Sequence, residues 1–149
     1  MTEKLKIKIF DEEYELNYEE DVKFAEATIN EDLTRQPSFY AFYSVLCARA
    51  EDEVSSAKLH LEILEAQLDA KIRSDMSTKK LEKQIQSEII LNPDWQAAQM
   101  WINTSKANLG VLKAIKGAFE HRMNSLISLG ANLRIQYANT EVKINQLPD

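Results

Sequence analysis

Five basic side chains, Lys71, Arg73, Lys79, Lys80 and Lys83, fall within thirteen residues of a 149-residue chain. Lysine is a phosphate-seeking point charge and arginine a bidentate donor, so the cluster has the chemistry to follow a sugar–phosphate backbone. Five phosphate contacts alone give weak, salt-sensitive binding, which a symmetric dimer or ring would multiply through effective concentration. Trp95, beside the cluster, is the open candidate for stacking on a base. Tyr40 and Trp101 offer the same chemistry but fall on apolar stripes, which favours core or subunit interface. Lys106, Lys113, Lys116 and Arg122 would extend a basic track along the last helix. Lys116 interrupts an apolar series and reads as a paired or snorkelling lysine. The bland alternative is a solvated, mixed-charge helix surface.

The familiar catalytic patterns are missing. Gly110, Gly117 and Gly130 are followed by Val, Ala and Ala, so there is no phosphate-binding Gly-Lys-Ser/Thr and no closely spaced glycine fingerprint. His60 and His121 are too far apart for a zinc-protease helix, and Ala57 and Ala118 stand where a di-iron bundle needs glutamate. The single Cys47 precludes an internal disulfide, fits a reducing compartment, and lies at an inward position as a structural thiol. The expectation is a protein that is not an enzyme, with no cofactor and no metal.

The elements that must position the cluster follow from composition and periodicity. Three glycines and three prolines are too few for the corners of a β-sandwich or a glycine-looped α/β enzyme, which leaves long helices. The net charge of −6 argues against whole-surface attraction to nucleic acid, but it is unevenly spread. Residues 1–36 hold five bases and eleven acids, residues 37–70 two bases and six acids, and residues 71–122 nine bases and five acids. No secretory signal and no membrane-spanning stretch is legible, so a cytoplasmic location is expected.

Residues 4–10 alternate polar and apolar, as a half-buried strand does, and Tyr14-Glu15-Leu16 offers a second strand after a weak turn. Residues 19–33 read as a short acidic helix with Val22, Ala25, Ile29 and Leu33 inward, broken by Pro37 at the start of the next helix. From Pro37 to about Arg73, nine of nine heptad positions are apolar or aromatic: Tyr40, Tyr43, Cys47, Ala50, Val54, Ala57, Leu61, Leu64 and Leu68. Such a seam needs another helix. Residues 74–77 interrupt it and offer N-cap side chains, and a short helix is expected from about Thr78 to Leu91. Asn92-Pro93-Asp94 is a strong helix start, and the last helix runs to about Tyr137. Its apolar face is wider than one seam, which points to a bundle or self-association.

The predicted fold is all-α: a long antiparallel helical hairpin with a short intervening helix, a small strand-like N-terminal segment, and oligomeric assembly. The expected divisions are an acidic segment over 1–36, a helical domain over 37–137 and a frayed tail over 138–149.

The run Leu68-Asp69-Ala70-Lys71-Ile72-Arg73 ends a long helix. A short lysine-rich helix follows, then the Asn-Pro-Asp-Trp entry, then a last helix carrying Leu112-Lys113-Ala114-Ile115-Lys116-Gly117-Ala118-Phe119-Glu120-His121-Arg122. In order and spacing, over roughly residues 37–135, this resembles the UvsY-type phage recombination mediators. The resemblance implies an accessory protein that binds single-stranded DNA as a ring-shaped homo-oligomer. It also implies that the protein helps a RecA-like recombinase replace the single-strand-binding protein, with Lys71 and Arg73 as the DNA-contacting pair. The acidic first 36 residues depart from the family pattern. Two other readings stand beside this one: a structural or adaptor coiled-coil protein without nucleic acid, and, least favoured, membrane-surface binding through Lys79, Lys80 and Lys83.

Overall fold

The computed structural model describes residues 4–75 and 79–144, with side chains as far as Glu141. The chain is mostly helical, with long helices and a small two-stranded antiparallel sheet near its start. Strand β1 spans Leu5–Ile9 and β2 spans Glu12–Leu16. The alternation works as read, with Ile7 and Ile9 buried and Lys6 and Lys8 exposed. Phe10 makes the turn with a φ of 51°, a left-handed conformation that costs a bulky L-residue on the order of 1–2 kcal/mol.

Helix α1 is a single turn, Tyr18–Asp21, followed by a 3₁₀ turn at Glu26–Thr28. Helix α2 then runs without interruption through Ile29–Ser74, α3 spans Glu82–Leu91, and α4 spans Pro93–Ile144. Three expectations change. The helix over 19–33 is broken, because the Val22 and Lys23 carbonyls turn toward Arg122 at 3.2 and 3.3 Å. Pro37 lies inside α2 and does not divide two helices. Residues 138–144, read as frayed, are still helical. Of the interruption expected at 74–77, residues 76 and 77 lie outside the described residues, as do residues 1–3, 78 and 145–149. Ser74 itself closes α2, its hydroxyl donating to the Lys71 carbonyl at 2.9 Å.

The chain divides into two compact units. The first comprises, in its described parts, residues 4–6, 15–45 and 112–144. Its core is aromatic: the Phe119 ring stacks on Tyr43 at 4.8 Å and on Phe39 at 5.4 Å, with Leu112, Ile115 and Leu126 buried nearby in sequence. Gln36 donates to the Phe119 carbonyl at 2.7 Å, and Tyr40 donates to Glu120 at 3.0 Å. The Lys116 ammonium lies 5.3 Å from the Tyr40 ring centre, so this lysine is engaged as its place in the apolar series suggested. Rising positions on α2 thus meet falling positions on α4, an antiparallel register.

The second unit comprises residues 7–14 and 46–111, of which 76–78 are outside the described set. Its seam is narrow, with Cys47, Ala50 and Ala57 of α2 and Ala98 and Ser105 of α4 all buried. Leu46, Val54 and Ile102 on the same two helices, Ile85 and Ile89 of α3, and Ile7 and Ile9 of β1 are buried in the same unit, so small residues let the helices approach while branched side chains fill the interior. Trp95 donates from Nε1 to Glu65 at 2.8 Å and Trp101 donates to Glu53 at 3.0 Å, again an antiparallel pairing of α2 with α4. The hairpin is tied down here: Asn108 donates to the Lys8 carbonyl at 2.9 Å, and Arg49 donates to Glu12 at 2.8 Å and to the Tyr14 hydroxyl. The Arg49 guanidinium, then the Tyr14 hydroxyl, hold the Glu12 carboxyl at about 2.

Pro37 is the one local rule that α2 breaks. It lacks the N–H that would close on the Leu33 carbonyl, a penalty of up to about 3 kcal/mol in a helix interior. Asp32, Gln36, Phe39 and Tyr43 all have partners or packing that require one continuous helical face. Because Pro37 is exposed, Pro37→Ala removes the penalty without disturbing a contact. It is expected to raise stability by about 1–3 kcal/mol in urea unfolding followed by circular dichroism; a loss of stability would show that the proline is needed where it stands.

Candidate nucleic-acid interface

The end of α2, the described residues after it and the start of α3 bring the predicted basic cluster together within the second unit. Lys71 is exposed on the last turn of α2, where cations complement the helix dipole. Lys79 is exposed ahead of α3, and Lys83 is exposed on its first turn. A cleft of about 350 Å³ lies between these elements, with Leu68, Ile72 and Leu91 as apolar lining and Lys71 and Lys80 among its polar members. Asp75, Glu88 and Asn92 complete it.

Arg73 and Lys80 are not free charges. Arg73 donates from Nε to Asp69 at 2.8 Å and from Nη2 to both oxygens of Glu82 at 2.7 and 2.8 Å. Asp69 first, then Glu82, raise its pKa further. Lys80 donates to both oxygens of Glu88, at 2.7 and 2.9 Å. Sequence reading picked out the bases and missed these partners. One signal was present: Asp69 and Arg73 are four apart on a helix, the spacing at which an ion pair forms. Glu82 and Glu88 had no such signal, because their partners lie outside α3.

The start of α3 differs from expectation for a related reason. Residue 81 is Leu, with no side-chain acceptor for the first amides, and the helix begins at Glu82 where Gln84 reaches back to accept from the Leu81 N–H at 3.0 Å. The next start behaves as read. Asn92 Oδ1 accepts from the Asp94 amide at 2.9 Å, with Pro93 at the first helical position.

The additional candidates separate. Lys106, in the second unit, and Lys113, in the first, are exposed on α4. Trp95 is half-buried with its N–H held by Glu65, so its polar edge is committed to the fold. Trp101 is half-buried as well, its N–H on Glu53 and its ring edge-on to His60 at 5.9 Å.

Arg122 must be removed from the basic track. It is 4% exposed in the core of the first unit. Its guanidinium donates to Asp32 Oδ1 at 2.6 Å, to Gln36 Oε1 at 2.6 Å, and to the carbonyls of Val22, Lys23 and Asp32 at 3.2–3.4 Å. Nothing local in the sequence announces this, since the acceptors lie 86 to 100 positions away. The Asp32 carboxyl is held below the usual carboxylate range, first because the Thr28 hydroxyl donates to it at 2.7 Å, with Arg122 adding to the effect.

Deleting one partner of such a pair strands a buried charge, so Arg122→Ala is expected to cost about 3–5 kcal/mol in denaturant unfolding. Near-native stability in that variant would sink the assignment. Because the folded pKa of Asp32 is depressed, its contribution is complete above the unfolded carboxylate pKa near ~4 and is lost as pH falls through the folded value. Thr28→Ala should therefore move the acid-unfolding midpoint to higher pH, and an unchanged midpoint would refute the role given to Thr28. No protein-family model matches the chain, and no similar protein is found among curated proteins or solved structures.

Proposed function

We propose that the chain is a non-enzymatic accessory protein that binds single-stranded DNA and helps load a RecA-like recombinase in place of the single-strand-binding protein. The observation that carries this reading is the cleft beside Lys71 and Lys80, with apolar lining suited to base faces and ammonium groups suited to phosphates. Exposed Lys79 and Lys83 add cationic contacts. The resemblance to UvsY-type mediators supports the same assignment and singles out Lys71 and Arg73. Repetition of the cluster in a homo-oligomer gives a chain of net charge −6 useful affinity through several weak local sites.

A second reading is favoured by a separate observation. Leu59, Ile63, Leu81, Ile90, Leu91 and Met100 are exposed in the second unit, and Phe42, Val45, Met123, Ile127, Ile135 and Tyr137 in the first. Side chains of this size in such number fit a helical adaptor whose apolar faces meet other proteins, with the charges serving solubility.

Fluorescence anisotropy of a labelled single-stranded oligonucleotide separates the two. For about five phosphate contacts, affinity should fall on the order of a hundredfold between 50 and 200 mM salt, whatever the base sequence. Lys71→Ala with Arg73→Ala should flatten the slope of log K against log salt by about 1.4 and leave the oligomeric state unchanged. Absence of binding at both salt concentrations would leave the adaptor reading.

A further inference from the structure

Two ion pairs of the cluster, those in which a carboxylate uses both oxygens, have a common source. Glu82 and Glu88 both belong to α3, and each holds a base from outside that helix with both carboxylate oxygens. Arg73 comes from the last turn of α2 and Lys80 from the described residues ahead of α3. A carboxylate that offers two oxygens to a guanidinium or an ammonium occupies the geometry that a phosphate would take. Both acids are exposed, so either pair can open without unfolding the unit.

We propose that α3 is a self-competing clip, in which Glu82 and Glu88 stand in for phosphate on Arg73 and Lys80 until nucleic acid displaces them. This rests on the nucleic-acid reading of the cluster and adds its regulation. Lys71, Lys79 and Lys83, whose side chains are exposed, make the first contacts. Arg73 and Lys80 join only where a strand supplies phosphates close enough to exchange with the two glutamates. The clip thus lowers affinity for short or isolated phosphates and makes full engagement depend on a continuous backbone. It also makes release easy, since the carboxylates are in place to recapture both bases. For a protein that must hold a strand and then hand it on, such built-in competition is a functional advantage.

The test compares wild type, Glu82→Gln with Glu88→Gln, and a control of equal charge change, Asp52→Asn with Glu62→Gln, both exposed on α2. All three are titrated against a labelled single-stranded oligonucleotide at 50 mM salt. The clip predicts that the Glu82/Glu88 variant binds several-fold to about tenfold more tightly than wild type, while the control changes less than twofold. In an Arg73→Ala background, Glu82→Gln should bring no gain, because the coupling runs through that one pair. Wild-type binding with an unchanged Glu82/Glu88 variant would overturn the clip and leave the proposed function standing. An equal gain in the control would reduce the effect to net charge and also overturn it. Binding by the variant alone would support both the clip and the proposed function. Silence of both proteins would overturn both.

Discussion

A helix that carries an unbroken apolar seam cannot cover it by itself, and this constraint governs the molecule. From Tyr40 to Leu68 the seam positions of α2 are apolar or aromatic; Tyr43, Cys47, Ala50, Val54 and Ala57 are buried, and Tyr40, Leu61, Leu64 and Leu68 are half-buried. The two units meet that constraint with different materials. The first uses stacked rings, Phe39, Tyr43 and Phe119. The second has no buried ring among its described residues and combines small residues, Ala50, Ala57, Ala98 and Ser105, with buried aliphatic ones, Leu46, Val54, Ile85, Ile89 and Ile102. At each tryptophan a glutamate from α2 satisfies the indole N–H, so ring and polar edge are both accommodated.

Arg122 is the costly element of the first unit. A guanidinium removed from water is tolerated only where its donors are matched, and five acceptors from two stretches of chain surround it. In meeting that demand it shapes its surroundings. The carbonyls of Val22 and Lys23 are taken out of any helical ladder, which is why the acidic segment is not one helix. Asp32 and Gln36 before Pro37 and Phe39 and Tyr43 after it all face α4, which is why α2 continues through the proline. Local preference and tertiary demand conflict at both places, and the tertiary partners decide.

The basic cluster shows that counting charges and locating charges are different exercises. Lysine and arginine within thirteen residues make a positive segment on paper. Folding sets Asp69, Glu82 and Glu88 against two of the five, so the field that a ligand meets depends on which pairs are closed. Exposed ion pairs are worth little individually, typically under about 1 kcal/mol. They are therefore well suited to exchange and poorly suited to holding a fold together.

The amino-acid sequence by itself determined the helical class, the seam of α2, the Asn92-Pro93 start of α4 and the alternation of β1, because each depends on residues a few positions apart. It also located the basic cluster, since those residues are neighbours along the chain. What only the tertiary structure decided involves partners far apart in sequence. Arg122 looked like an exposed cation until Asp32 and Gln36, some 90 positions away, were placed around it. Pro37 looked like a break until Gln36 before it and Phe39 and Tyr43 after it were packed on Phe119. Trp95 looked open until Glu65 took its N–H. Arg73 and Lys80 looked available until α3 turned two glutamates toward them. Backbone preference and periodicity are short-range and leave a local mark, whereas desolvation and charge pairing act between whichever groups the fold brings together.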